Sequence, residues 1–414
     1  MQEYSMFWIV SLPGSNREFI VKVLHVIASM SAVRGGTTIA VANLSAALSR
    51  LGIHVDIATT DDDGPNQHID VAHGTFIETP VARHVYFRRQ TNFYSTSIPM
   101  RNWLARHIAA YDVVHVHGLF NFAALVGARA AHACDRPYVL TPHGTLDSWG
   151  LRHHKPILKR LSIALLESAV LRRAAAVHLT SDLERSETEK LRFLRNTTVI
   201  PLGMDISPFL LPPPLQRPKQ FSSDLGVKPT ILFLSRVDHK KGLDVLLDAF
   251  RLVLAAIPSA VLAIAGDGHP QLIRALQQQV ERLEMADSVR WLGFVSGENK
   301  LWLLSNCSLF VLPSQSENFG LAVVEAMASG IPVIVSPGVA LAQMVARHGA
   351  GEVCEALPSP LARTLVSWLQ DPNRCKAAGT AGRDLVKSEM TLDTLGARMA
   401  TLYERIIAGR ADSA

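Results

Sequence analysis

The chain has 414 residues, 48% of them hydrophobic, with 41 lysines and arginines against 36 acids and a formal net charge of +5. That length is too great for one ordinary core and calls for two domains of roughly 200 residues each. Cys134, Cys307, Cys354 and Cys375 have neither metal nor disulfide spacing, and no run of about 18 apolar residues occurs, which argues against a disulfide scaffold and a membrane-spanning helix. The first twenty residues have no basic start and no cleavage site, so they read as an extension rather than a signal peptide, and a cytoplasmic location is expected.

The first strand is "VKVLHVI" (Val21–Ile27), followed by the loop "RGGTT" and a helix from about Thr38 to Leu51. Gly35 and Gly36 in that loop let backbone come close to a ligand. The spacing is not G-x-G-x-x-G, so dinucleotide binding is not supported. Asp61, Asp62 and Asp63 follow the strand "HVDIAT" beside Gly64 and Pro65, a turn-rich setting that reads as a solvated loop rather than a metal site. After a helix near Pro99–Ala110, the strand "DVVHVHG" puts His115 and His117 on one face, because strand side chains alternate. With His143 they would seed a zinc site, but further ligands are not apparent. The strand "PYVLT" stops at Pro142, so His143 stands at its carboxyl end, where open α/β sheets hold ligands. A long helix (about Pro156–Arg173), the strand "AVHLTS", another helix and "TTVIPLGMD" complete a first domain assigned to residues 1–209.

"LLPPPLQRPKQF" (residues 210–221) is a stiff proline-rich linker. A second domain over residues 222–390 restarts the alternation with "TILFLSR", a helix from Lys241, "AVLAIAGDG" and "VRWLGFV". Arg236 ends its strand and Lys241 starts a helix, a planar fork and a point charge that together suit a diphosphate. The stretch "LFVLPSQSENFGLAVVEAMASGIPVIVS" (Leu309–Ser336) then reads as strand, loop, helix, strand. Asn318, Phe319 and Gly320 open the helix, so their loop points free N–H groups and a helix dipole at whatever lies above the sheet, which favours phosphate. With a rise of about 1.5 Å per residue, Glu325 lies roughly 7 Å along the helix from Gly320, the reach from a diphosphate to its ribose. Glu317 would repel phosphate and fits a neutral, hydroxyl-rich partner such as a sugar ring.

The string "ENFGLAVVEAMASGIPVIV" resembles the E-x7-E signature of the retaining glycosyltransferases of family 4, and the resemblance extends over most of the chain. It implies the GT-B fold, an α/β architecture of two Rossmann-like, doubly wound parallel-sheet domains facing across a cleft, with a C-terminal helix (391–414) packed back on the first. It also implies transfer of a sugar from a nucleotide sugar to an acceptor hydroxyl with retention of configuration, needing no metal and no other cofactor. "SRVDHKKG" resembles the family's pyrophosphate site, "AGDGHP" with Gly268 a loop near the base, and "RGGTT" a loop against the donor phosphate or the acceptor. "PHG" resembles the position beside the transferred sugar. His143, Glu317, Arg236 and Lys241 are then the catalytic candidates, and Gly35, Gly36, Gly268, Asn318, Phe319, Gly320 and Glu325 the donor-binding ones. The chain departs from the pattern at Leu202, where asparagine is common, and near Gln343, where many relatives carry a glutamate. A nucleotide-sugar epimerase of the same fold and a non-catalytic nucleotide-sugar-binding protein are the alternatives, and the presence of all four catalytic candidates favours the transferase.

Charge is uneven along the chain: from Arg83 to Arg173 there are 13 lysines and arginines against 4 acids. Within that span "WGLRHHKPILKRL" mixes Trp149, Leu151, Ile157 and Leu158 with Arg152, Lys155, Lys159 and Arg160, as a segment resting on an anionic bilayer does. No nucleic-acid-binding motif accompanies it. The expected partners are a nucleotide sugar, a glycan or polyprenyl-diphosphate-linked acceptor and the inner membrane face, as in assembly of a bacterial surface polysaccharide.

Overall fold

Short strands with almost no exposed side chains build both sheets. A computed structural model describes residues 21–147, 151, 156–191, 194, 196–212, 214 and 216–411. The chain divides into two compact units, one running to Met204 and taking in the residues from Leu392 onward, the other spanning Asp205–Thr391. The division falls ahead of the proline-rich segment, whose last residue, Phe221, packs its ring 5.7 Å from that of Trp302.

In the first unit the strands are β1 (Lys22–Ser29), β2 (His54–Thr60), β3 (Phe76–Glu78), β4 (Arg83–Phe87), β5 (Val113–His117), β6 (Tyr138–Thr141), β7 (Ala176–Leu179) and β8 (Thr197–Val199). They lie in the order β3-β4-β2-β1-β5-β6-β7-β8, all parallel except for the antiparallel edge pair β3–β4. Parallel sheets are covered on both faces, which is why β5 and β6 are buried at every position. On one face Leu24, Val26, Val114 and Val116 meet helix α2 (Phe122–Ala133), started by Asn121, whose side chain accepts from the N–H of Ala124. On the other face Val23, Ile27, Val113 and Val139 meet helix α1 (Gly36–Arg50) and the C-terminal helix (Leu392–Ala411), which buries Leu395, Met399, Leu402 and Tyr403 there. Each such aliphatic side chain contributes about 1.5–3 kcal/mol. The helix expected over Pro156–Arg173 is interrupted by a π turn at Ile163–Glu167.

The second unit has β9 (Thr230–Leu234), β10 (Val261–Ala265), β11 (Val289–Gly293), β12 (Leu309–Leu312), β13 (Val333–Val335) and β14 (Gly351–Val353), all parallel, in the order β11-β10-β9-β12-β13-β14. Counting from β9, this is the 3-2-1-4-5-6 order of a doubly wound Rossmann sheet, and its direction reverses between β9 and β12. The first unit reverses in the same way between β1 and β5. Ligands of such sheets sit beyond the carboxyl ends of the strands at the reversal.

Candidate active site

The loops leaving β9 and β12 are tied to each other. The carbonyl of Lys240 accepts both from the N–H of Gln315 at 2.7 Å and from the Ser314 hydroxyl at 2.9 Å. Gly242 makes this approach possible, since its φ is +67° and a Cβ there would stand 2.2 Å from the carbonyl oxygen of Pro313. The helix begun by Gly242 is Leu243–Ala256, so Lys241 closes a preceding 3-10 turn instead of opening the helix. The turn buries Lys241, and its ammonium forms an ion pair with the Glu317 carboxylate. Glu317 is itself fixed by backbone, its N–H bonded to the carbonyl of Gly338 and its own carbonyl to the N–H of Ala340. Helix α3 (Leu321–Ala328) follows, with Gly320 at its N-cap in the left-handed region and no side chain capping it.

Arg236 leaves β9 exposed, on a cavity of about 660 Å³ that also includes Val237, His269 and Gly268. Gly268 lies against the β9 loop: a Cβ would meet the Val237 carbonyl at 2.2 Å. Phe319 is buried beneath the loop. Glu325 carries a partner that sequence reasoning missed, for the Lys300 ammonium bonds its carboxylate at 2.7 Å, both groups being mostly buried. Thus the second unit brings Arg236, Lys241, Glu317, Asn318, Phe319, Gly320 and Gly268 to its strand ends, with Glu325 within the adjoining helix.

In the first unit Gly35 (φ +68°) caps α1, and a Cβ on either Gly35 or Gly36 would meet nothing within 4 Å, so the loop presents open backbone. The reading of Asp61–Asp63 as a solvated loop is overturned. Asp61 and Asp62 are fully buried, and positive charge from elsewhere in the chain meets them. Arg34 bonds Asp62 through two nitrogens at 2.9 and 2.6 Å, the buried Arg89 bonds its other oxygen, and Asp63 accepts from the Ser31 hydroxyl. Burial alone would push the Asp61 carboxyl up, but the Arg89 N–H, His68 and His73 hold it below the ordinary range. Arg34 directly precedes the glycine pair, so this ion network pins the glycine loop.

His143 sits at φ +54° past β6, and the next N–H, of Gly144, donates at 2.7 Å to Glu184, whose other oxygen accepts from the N–H of Thr180. Glu184 therefore anchors the His143 loop. Behind it runs a row of buried histidines: His143 Nε2 lies 3.1 Å from His117 Nδ1, and His117 Nε2 lies 2.7 Å from His25 Nδ1. A second branch has a direction that can be deduced. The Ile200 carbonyl can only accept, so His178 Nε2 carries its proton and His178 Nδ1 accepts from Thr141. The Thr141 oxygen then accepts from His115 Nε2, leaving His115 Nδ1 to accept from the Tyr403 hydroxyl at 2.7 Å. Burial lowers every one of these imidazoles, His25 and His143 to about 3 and His178 to about 4. They are neutral at pH 7. His25, His115 and His117 stand close enough to share an ion, yet all of their ring nitrogens except His25 Nε2 are engaged in these bonds. His117 is a buried support for His143.

Residues 35–203 match the family described as "Glycosyl transferase 4-like domain", and residues 217–385 that described as "Glycosyl transferases group 1". Over 304 residues the chain is 27% identical to an alpha-monoglucosyldiacylglycerol synthase of Streptococcus pneumoniae, covering 72% of this chain and 67% of that one. It is 26% identical to a D-inositol 3-phosphate glycosyltransferase of Jonesia denitrificans, over 90% of this chain and 91% of that one. Among solved structures, Anabaena HepE in complex with UDP and glucose aligns with a TM-score of 0.71 at 20% identity, covering 92% of this chain and 99% of that one, which shows the shared fold. With two doubly wound parallel sheets and both family matches falling one on each unit, the chain belongs to the GT-B glycosyltransferases of the family 4 kind and is a transferase enzyme.

Proposed function

We propose that the enzyme moves a sugar from a nucleotide-diphosphate donor to a lipid-linked glycan acceptor, with retention of configuration, during assembly of a bacterial surface polysaccharide. The observation that carries the donor half is the join of the β9 and β12 loops, which holds Lys241 against Glu317 beside the uncapped start of α3. Arg236, Lys241 and the helix N-terminus stabilise the departing diphosphate, the preorganised electrostatics that often supplies the largest part of catalysis. In the second unit Glu317 holds the sugar by hydrogen bonds and Glu325 accepts from the ribose, while in the first unit the neutral His143 and the open Gly35–Gly36 loop are the groups offered to a ligand. Transfer of radiolabelled sugar to membrane extract, after a binding screen over UDP-, GDP- and ADP-sugars, tests the reading. Binding of a donor with no transfer to any extract would favour a nucleotide-sugar sensor.

Because the arginine and lysine supply the positive charge, transfer should survive excess EDTA. A rate recovered only with added divalent ion would overturn this.

Burial pulls the Lys241 ammonium down to about 7, with Lys240 and Arg236 acting in the same direction and Asp238 against it. The adjoining Glu317 carboxylate also favours the proton. The charged form is the active one, so the rate falls as pH rises, with an apparent pKa at or above about 7. Lys241→Arg should carry this limb beyond about pH 10, since a guanidinium keeps its proton there. An unchanged limb in the pH profile of kcat/KM would assign it to another group.

The membrane half rests on the helix after Pro156. Ile157, Leu158, Leu161 and Leu165 are 79%, 57%, 53% and 68% exposed, and their spacing puts them along one stripe. Arg160 is exposed beside them, whereas Lys159 is turned inward, its ammonium 5.5 Å from the Phe120 ring centre. Trp149, Arg152 and Lys155 lie outside the described residues. Among those described, no helix is long and apolar enough to cross a membrane. The reading is of a cytoplasmic protein held peripherally on the inner membrane face, and a relative named for a glucosylated diacylglycerol supports a lipid acceptor. Wild type should float with anionic liposomes at low salt and detach at high salt. Changing Ile157, Leu161 and Leu165 to serine, or Arg152, Lys155, Lys159 and Arg160 to glutamine, should abolish flotation. Failure of wild type to float would point to a soluble acceptor.

A further inference from the structure

The first unit holds a cavity of about 650 Å³ at the edge of the sheet opposite to that carrying Gly35 and His143. Tyr138, Ala176 and Thr197, the first residues of β6, β7 and β8, line it, so it lies at the amino ends of the strands. Three separate segments each point an arginine to it: Arg136 from the turn before β6, Arg173 from the end of the helix before β7, and Arg405 from the C-terminal helix. Asp135 is the one carboxylate among the lining residues.

Protein groups among the described residues engage little of these guanidiniums. The Arg136 Nε is buried with no hydrogen-bond partner among the described residues, and a buried donor left unmade is expensive. Arg405 reaches only the Thr198 hydroxyl, at 3.4 Å, and Arg173 donates no hydrogen bond among the described residues. Three guanidiniums against the single Asp135 carboxylate leave the concavity with net positive charge, which favours an anion there. Guanidinium forks match the oxygens of phosphate better than those of a halide, and the volume is that of a small-molecule pocket rather than a bare-ion site.

We propose that this cavity binds the phosphate group of a small phosphorylated molecule, which thereby joins the C-terminal helix to β6 and β7. Arg405 lies two residues beyond Tyr403, whose hydroxyl bonds His115, so the occupant would secure the part of the helix that closes the histidine row. The site does not depend on the donor reading.

The test is calorimetric titration of the whole protein with a hexose phosphate and with inorganic phosphate, at constant ionic strength set by chloride. Arg173→Gln/Arg405→Gln is the site variant, both side chains being exposed and so removable without disturbing the core. Arg236→Gln/Lys241→Gln reports on the strand-end loops of the second unit. The site variant should lose about tenfold or more in affinity, from two charge-assisted bonds, while the second variant keeps it. Hydrogen exchange should slow at 136–138, 173–176 and 405–409 in wild type alone. Binding of phosphatidylglycerol vesicles by wild type and not by the site variant, with no heat from either soluble phosphate, would overturn the small-molecule occupant and assign the site to lipid headgroups. Equal affinity in wild type and the site variant, loss confined to the second variant, or the same exchange protection in chloride alone would each overturn the proposal.

Discussion

Glu317→Ala is expected to slow sugar transfer by about two to three orders of magnitude, the scale set by removing one preorganised group that acts on the reacting centre. Affinity for the bare nucleoside diphosphate should stay level or rise. The reason is the ion pair: Glu317 neutralises Lys241, and its removal leaves the buried ammonium for the diphosphate. Glu325→Ala should behave in the opposite way, weakening the nucleoside diphosphate by roughly tenfold through loss of the ribose acceptor. It also releases Lys300, which bonds the same carboxylate. Calorimetry with the nucleoside diphosphate and a transfer assay on both variants separate the roles. Equal losses of nucleotide affinity would show that the two glutamates do not divide the donor between sugar and ribose.

The second large effect concerns stability. Asp62→Ala should destabilise the first unit by about 3–5 kcal/mol, because it strands the buried Arg89 guanidinium without its counter-charge. Asp182→Ala, which removes an ion pair about half exposed on both sides, should cost no more than about 1 kcal/mol. Urea unfolding of the two variants makes the comparison. Similar small losses for both would restore the solvated-loop reading of Asp61–Asp63. Loss of the network would also release Arg34, so glycine-loop function should fail in Asp62→Ala at temperatures where the fold still holds.

The features legible in the sequence are those written in one contiguous string. The run from Leu309 to Ser336 has its strand, loop, helix and strand in register with its own apolar pattern, and the alternation of strands and helices around it announces a doubly wound parallel sheet, though not where its order reverses. Features that depend on partners far along the chain were not legible. Three adjacent aspartates look solvated because their counter-charges, Arg34, Arg88 and Arg89, lie some 27 residues away on either side, and only the pairing of β2 with β1 and β4 brings them together. Lys300 and Glu325 are 25 positions apart on different helices. The alternation of His115 and His117 was readable, but the bonds that hold them come from Tyr403, Thr141 and His25, which no local pattern connects. A buried histidine announces itself only by lying in an otherwise apolar strand, as His25 does in "VLHVI" and His178 in "AVHL".

The C-terminal helix completes a core begun near residue 23, with the whole of Asp205–Thr391 inserted between. On the ribosome, therefore, the first sheet emerges with the face over Val23, Ile27 and Val113 covered only in part, by α1, and must wait for the later unit to be made before the C-terminal helix completes it, roughly 10–40 s at ordinary elongation rates. During that interval His115 has no Tyr403 and the apolar face is open to chaperones or to a neighbouring nascent chain. The second unit has no such debt and is free to fold first, reversing the usual order in which domains mature along a growing polypeptide.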